Sequence, residues 1–324
     1  MRRRPDAPAL DPIRHWLAGM VLAANAVHGA AAQTTDLWLD VDTSRERTDD
    51  AIALVQAFRS PEVTVRGVSV LYGNGTLLEA LDVAAESLRR VAPGERSHLG
   101  ARDARDLGTP TPAVDAMANM LEGRRLTIAA LGPLTTIASL IRLRPDLVDR
   151  IDRLVVVAGR RRSVSDTPAE DTDHREDNVG RDPRAMAIVL DAGIPLVLVG
   201  RETAADTRLT SEDLTAMSAS GNTTAWLADL SRPWVSRNKD RTGIAALQPV
   251  DALAVGWITH PGRFDTLRAR VWLEVTPGDL PADPAAGSSL LVEEDADGGG
   301  EILYVTGPRE PFIPLLLDRL QREP

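Results

Sequence analysis

Residues 37–54, LWLDVDTSRERTDDAIAL, read as a buried strand, a polar loop and the opening of a helix. Leu37, Trp38 and Leu39 form an apolar run leading into Asp40, Val41 and Asp42, and a helical pattern starts at Asp49 and Asp50. Four carboxylates thus gather between the end of a strand and a helix N-terminus. Like charges that close together are costly, so a cation is expected among them. Carboxylate oxygens without cysteine or a histidine cluster suit a hard divalent ion, calcium or magnesium. The plainer alternative is that Asp49 caps the helix and its neighbours are solvated loop charges.

Outward from this unit, strand-like and helix-like stretches alternate. Residues 63–71 are rich in β-branched side chains and predict a strand. Residues 77–91 carry Leu78, Leu81, Ala85 and Leu88 at helical spacing. A helix over 113–122, a strand over 125–131, the turn Gly132-Pro133-Leu134-Thr135-Thr136, a helix over 137–142 and a buried strand over 151–158 follow. Residues 159–181 form a long polar loop of the kind kept for function. Beyond it the pattern predicts a helix to 190, a buried strand over 194–200, and helices over 211–218, 223–234 and 251–259. Strands over 268–275 and 302–306, separated by hairpin loops, and a terminal helix over 311–322 complete the chain. Near-continuous apolar strands alternating with helices predict an α/β fold: a mostly parallel central sheet flanked by helices on both faces, in one domain over 33–324.

Composition narrows the function. A hydrophobic share of 43% supplies a core, and a net charge of −10 argues against a nucleic-acid binder. The absence of cysteine excludes disulfides, thiolate metal sites and a cysteine nucleophile. Residues 1–32 read as a signal peptide cut near Ala32: Arg2, Arg3, Arg4 and Arg14 precede a short apolar run and a string of small residues. That run is too short for a permanent membrane span. The expected location is periplasmic or secreted.

In an open parallel sheet, ligands bind beyond the carboxyl ends of the strands. Asp42, Asn74, Thr135, Glu176 and Asn178 all fall after predicted strands. In order, the motifs DVDTSRERTDDA, Gly73-Asn74, Gly132-Pro133-Leu134-Thr135-Thr136, Glu176-Asp177-Asn178 running to Asp182-Pro183, AMAIVLDAGIPLVLVG and Asp251 in VDALAVGW resemble the inosine–uridine-preferring nucleoside hydrolases. The resemblance runs from about Leu37 to the C-terminus. It implies a calcium ion held by Asp42, Asp50, Asp251 and the backbone carbonyl of Thr135. It implies Asp49 as the general base on a metal-bound water, with Asn74, Glu176 and Asn178 on the ribose hydroxyls. The implied reaction is hydrolysis of the N-glycosidic bond of ribonucleosides to ribose and free base, through a transition state of oxocarbenium character.

The chain departs from that pattern in three places. Six residues separate Asp42 from Asp49 where the family has three, and they include Arg45 and Arg47. The family's asparagine before the glutamate has no match, and the histidine that often precedes the late aspartate is Val250. One alternative is therefore a noncatalytic or diverged homologue that binds a ribosyl ligand. Another is a phosphatase of the haloacid dehalogenase type, with Asp40 as nucleophile in Asp40-Val41-Asp42-Thr43. Trp226, Trp234 and His174 are candidates for a base pocket. The expected partner is a small nucleoside; the resemblance also implies a homodimer or homotetramer, as family members commonly form, by analogy alone.

Overall fold

Residues 35–41 form an interior strand because the apolar side chains from Leu37 on find cover on both faces. The computed structural model describes residues 34–161, 177–275, 288–296 and 301–322. The expected signal peptide, Glu176 and His174 lie outside the described residues. In chain order the strands are β1 (Thr35–Val41), β2 (Val63–Val70), β3 (His98–Leu99), β4 (Leu126–Ala130), β5 (Ile151–Val156), β6 (Arg160–Arg161), β7 (Leu196–Val199), β8 (Leu209–Thr210), β9 (Ala246–Leu247), β10 (Phe264–Glu274), β11 (Ser289–Glu294) and β12 (Ile302–Pro308). The helices are α1 (Asp49–Phe58), α2 (Leu77–Val91), α3 (Pro112–Gly123), α4 (Thr135–Leu143), α5 (Asp177–Arg181), α6 (Pro183–Asp191), α7 (Ser211–Ala219), α8 (Asn222–Thr242), α9 (Val250–Thr259) and α10 (Phe312–Gln321).

Ten strands join in the order β3-β2-β1-β4-β5-β7-β12-β10-β11-β6. Within this sheet β10 alone runs against the others. Side chains alternate along β1. Leu37, Leu39 and Val41 face a core shared with α1, α2, α9 and α10, while Trp38 faces one shared with α3, α4 and α6. Helices therefore cover both faces, and the α/β expectation holds.

Several expected boundaries move. α4 begins at Thr135, two residues earlier than expected, because the Gly132-Pro133-Leu134 turn feeds straight into it. α8 runs to Thr242 through Pro233, well past Trp234, and stops at Gly243 in the left-handed region (φ 76°). Its distal turns are mostly exposed, so apolar spacing could not mark them. β11 occupies part of what reads as hairpin loop; its Leu290, Leu291 and Val292 are a short buried run hidden between acidic segments.

One glycine has a packing reason. The β1–β2 register shifts between Leu37 and Trp38, and the Trp38 indole then lies across Gly67. A Cβ at Gly67 would fall inside that ring. Gly67→Ala is expected to destabilise the fold by about 1–3 kcal/mol, read as a lower denaturation midpoint; an unchanged midpoint would refute the packing argument.

Candidate active site

The carboxyl ends of the parallel strands carry a buried acidic centre delivered by two adjacent helices. α1 opens with Asp49 and Asp50, α9 has Asp251 as its second residue, and the two helices pack side by side. Helix N-termini favour negative charge, which partly offsets the crowding of carboxylates there. Carboxylate oxygens of Asp49, Asp50 and Asp251 all come within 4.8 Å of one another. Asp42, directly after β1, joins them: its amide donates to Asp50 Oδ1 at 3.2 Å.

Asn74 holds this edge. Its amide donates to Asp42 Oδ2 and its Nδ2 to Asp42 Oδ1, both at 3.0 Å, with Asp50 Oδ2 a longer 3.5 Å away. The backbone crowds in closely. A Cβ at Gly73 would collide with the Asp42 carboxylate, and one at Gly132 would come within 2.8 Å of the Asp42 Cβ.

The cluster stands short of positive charge. Burial, followed by the Asp50 charge, pushes the Asp42 carboxyl well above the usual range, and Arg181 only partly offsets this. Burial and the Asp49 charge lift Asp50 from 3.8 to about 7. Burial and then the charges of Asp49, Asp50 and Asp42 push Asp251 well up. Asp49 is also raised by burial, with Arg47 pulling it back most and Arg201 contributing. A compact group of hard oxygen donors that resists ionisation is a donor set that fits calcium or magnesium.

The lengthened loop has a definite shape. Ser44 Oγ accepts the amides of Arg47 (2.9 Å) and Glu46 (3.2 Å), closing a tight turn. Glu79 of α2 accepts the Arg45 amide at 2.8 Å, and Arg237 of α8 donates to the Glu46 carbonyl at 2.7 Å. Thr48, at the N-cap of α1, leaves its hydroxyl on Ser231 at 2.8 Å instead of capping. The Arg45 side chain is exposed. Arg47 is half-buried, and its charge favours the ionised form of Asp49.

Thr135 and Asn178 have hydrogen-bond partners of their own. Thr135 donates its hydroxyl to Asp182 Oδ2 at 2.8 Å and lies 3.0 Å from the Tyr72 hydroxyl. Its carbonyl accepts from Ser139 Oγ at 2.7 Å. Asn178 spends its amide hydrogens on the carbonyls of Leu131 (2.7 Å) and Val157 (3.0 Å), beyond the ends of β4 and β5. Only its carbonyl oxygen is left to accept from a ligand. Val250, where the family often has histidine, is buried among apolar side chains.

Asp40 cannot be the exposed nucleophile that a phosphatase needs. It has no solvent exposure and accepts from Ser69 Oγ, which in turn accepts the Trp38 indole N–H at 2.9 Å. Burial lifts its carboxyl to about 7 despite the Ser69 bond. The Arg90 guanidinium lies 4.8 Å from the centroid of the Trp226 ring, a contact between α2 and α8. Sequence reasoning missed Tyr72, Arg181 and Arg201. None stands out in the chain, and only the sheet brings them to the same edge.

Comparison with known proteins agrees with this geometry. A family profile described as "Inosine-uridine preferring nucleoside hydrolase" matches residues 37–302. The chain is 28% identical to the pyrimidine-specific ribonucleoside hydrolase RihA of Shigella boydii serotype 4 (strain Sb227), over 84% of this chain and 95% of that protein. In fold it is similar to the plant nucleoside hydrolase PpNRh1, with a TM-score of 0.73, 20% identity and coverage of 89% of this chain and 99% of that one. It is also similar to the purine-preferring ribonucleoside hydrolase from Gardnerella vaginalis, with a TM-score of 0.71, 20% identity and coverage of 89% and 97%.

Proposed function

Since the chain belongs to the inosine–uridine preferring nucleoside hydrolase family, we propose that it splits ribonucleosides with Asp49 as general base and with calcium held by Asp42, Asp50 and Asp251. The Thr135 carbonyl is the further ligand that the family resemblance implies. The observation that most supports this reading is the convergence of Asp49, Asp50 and Asp251 within 4.8 Å, from two helices, in a buried centre. Bound there, the ion would supply positive charge among the carboxylates and Lewis-acid polarisation of water.

The residues suit separate tasks. Asp42 is fixed by two bonds from Asn74, and Asp50 takes the Asp42 amide, so both are oriented. Asp49 is the most exposed of the four, at 8%, and Arg47 and Arg201 favour its ionised form. That leaves Asp49 placed to accept a proton from the attacking water as the C–N bond breaks. The surrounding negative charge favours a sugar that turns cationic in the transition state. Asn74 and the free oxygen of Asn178 would orient ribose hydroxyls, with Glu176 a third contact by resemblance. Export through residues 1–32 remains part of the proposal on sequence grounds.

No imidazole stands at position 250 to protonate the leaving base, so good leaving groups should fare best. Uridine, cytidine, inosine and p-nitrophenyl riboside are the test set; the pyrimidines rank first because RihA is a pyrimidine-specific relative. The expected result is calcium-dependent release of ribose, with p-nitrophenyl riboside outpacing every natural nucleoside. Calcium binding without turnover of any riboside would instead favour a noncatalytic ribosyl-binding homologue.

A further inference from the structure

We propose that Ser231 of α8 is a positioning residue for Asp49: it keeps the Thr48 hydroxyl off the N-terminus of α1 and so sets the direction in which the chain enters Asp49. This rests on the reading of Asp49 as the general base and names what holds it. Thr48 and Ser231 are both fully buried, and their hydroxyls lie 2.8 Å apart across 183 positions of the chain. Ser231 is one of the buried residues of α8, whose Leu227, Ala228 and Val235 share a core with Ile52, Ala53 and Leu54 of α1. The Thr48 carbonyl meanwhile accepts the Ile52 amide at 3.1 Å. Thr48 is therefore a joint: its backbone starts α1, and its side chain is fastened to α8.

The other threonines at helix N-caps show what Thr48 is kept from doing. Thr76, Thr111 and Thr210 are extended, with ψ of 149°, 159° and 169°, and each hydroxyl accepts the amide three residues on. That is the capping geometry a threonine ordinarily adopts. Thr48, with φ −117° and ψ 2°, is turned away from it and makes no capping bond. Rotation about its ψ swings the peptide that leads into Asp49, so the two conformations aim the Asp49 carboxylate differently. Without the Ser231 hydroxyl, the buried Thr48 hydroxyl loses its partner on α8, and capping α1 satisfies it instead.

The length of the loop makes such a tie matter. Asp42 is held from its own side by Asn74. Six residues lie between Asp42 and Asp49, and a longer connection fixes the spacing of its two ends less tightly than a shorter one.

Kinetics on p-nitrophenyl riboside, with calcium titration and thermal melting of the same full-length proteins, test this. Ser231→Ala should lower kcat about ten- to a hundredfold, the cost of a base displaced by about 1 Å, while KM and calcium affinity stay within about twofold. Its Tm should move by no more than about 3 °C, since the cap gained offsets the bond lost. Adding Thr48→Val removes the hydroxyl that would cap and keeps the side-chain shape, so the double variant should recover most of the lost kcat. In an Asp49→Asn background, Ser231→Ala should cost nothing further, because Ser231 acts through Asp49. An unchanged kcat in Ser231→Ala overturns the proposal, as does a double variant no faster than Ser231→Ala, or a loss of full size in the Asp49→Asn background. A KM or calcium affinity that worsens in step with kcat, or a Tm lowered by more than about 10 °C, marks the bond as merely structural and overturns it too. Wild-type activity in Asp49→Asn defeats the base reading and this inference with it. A slow Asp49→Asn beside an unimpaired Ser231→Ala defeats this inference alone.

Discussion

Asp49→Asn lowers the turnover of p-nitrophenyl riboside by about 10²–10⁴-fold, the usual share of a positioned base, and stabilises the metal-free protein. Both effects follow from the same crowding. The Asp49 charge is the largest cause after burial of the rise in both Asp50 and Asp251. Its removal eases the ionisation of both neighbours, so the folded state gains what catalysis loses. Steady-state kinetics and thermal melting in a chelator measure the two sides. Calcium titration separates the roles, because Asp49, Asp50 and Asp251 are close enough to share an ion. A base can be lost with calcium affinity largely kept. If affinity collapses together with activity, Asp49 is a ligand and the base lies elsewhere; full activity in Asp49→Asn excludes it from both tasks.

Without a cation, the protein should lose stability as pH rises from about 4 to about 7. Asp40 and Asp50 carry folded values of about 7 against an ordinary 3.8, so between those values the folded state binds more protons than the unfolded chain. Stability then falls as pH climbs through that window and levels off above it. Asp42, Asp49 and Asp251 are raised as well and push in the same direction. Each carboxyl contributes up to about 1.4 kcal/mol per pH unit while it is out of step. With coupling among them, a loss of a few kcal/mol, or about 5–10 °C in Tm, is expected for a domain of this size. Calcium should reverse the trend, since it binds the ionised carboxylates and displaces their protons. Its affinity should therefore climb with pH across the same window. Melting curves with calcium and with chelator at several pH values check both statements. A metal-free protein whose Tm is flat or rises over this range would mean that the carboxylates are compensated from within.

Much of the frame is legible in local pattern. Apolar runs such as LWLDV and LVVVA can only be strands with both faces covered, and the 3.6-residue spacing of residues 77–91 marks a helix without any tertiary information. Boundaries fail where burial is one-sided or brief. The exposed distal turns of α8 carry no apolar stripe, and β11 is a short buried run among acidic residues. At the site, Asp42, Asp49, Asp50 and Asp251 could be singled out because the aspartates cluster at a strand end and at helix starts. Asn74 was found for the same reason.

What the chain alone determined is the acidic centre: its residues lie at element ends, and the α/β alternation leaves those ends on one edge of the sheet. Tertiary structure alone decided what surrounds it. It left Arg45 exposed and Arg47 half-buried in a loop whose backbone is held by Ser44, Glu79 and Arg237. It committed the Asn178 amide to two strand-end carbonyls. Such contacts join residues up to 191 positions apart. No local propensity encodes them, because their energies depend on which polar groups the completed sheet has already satisfied.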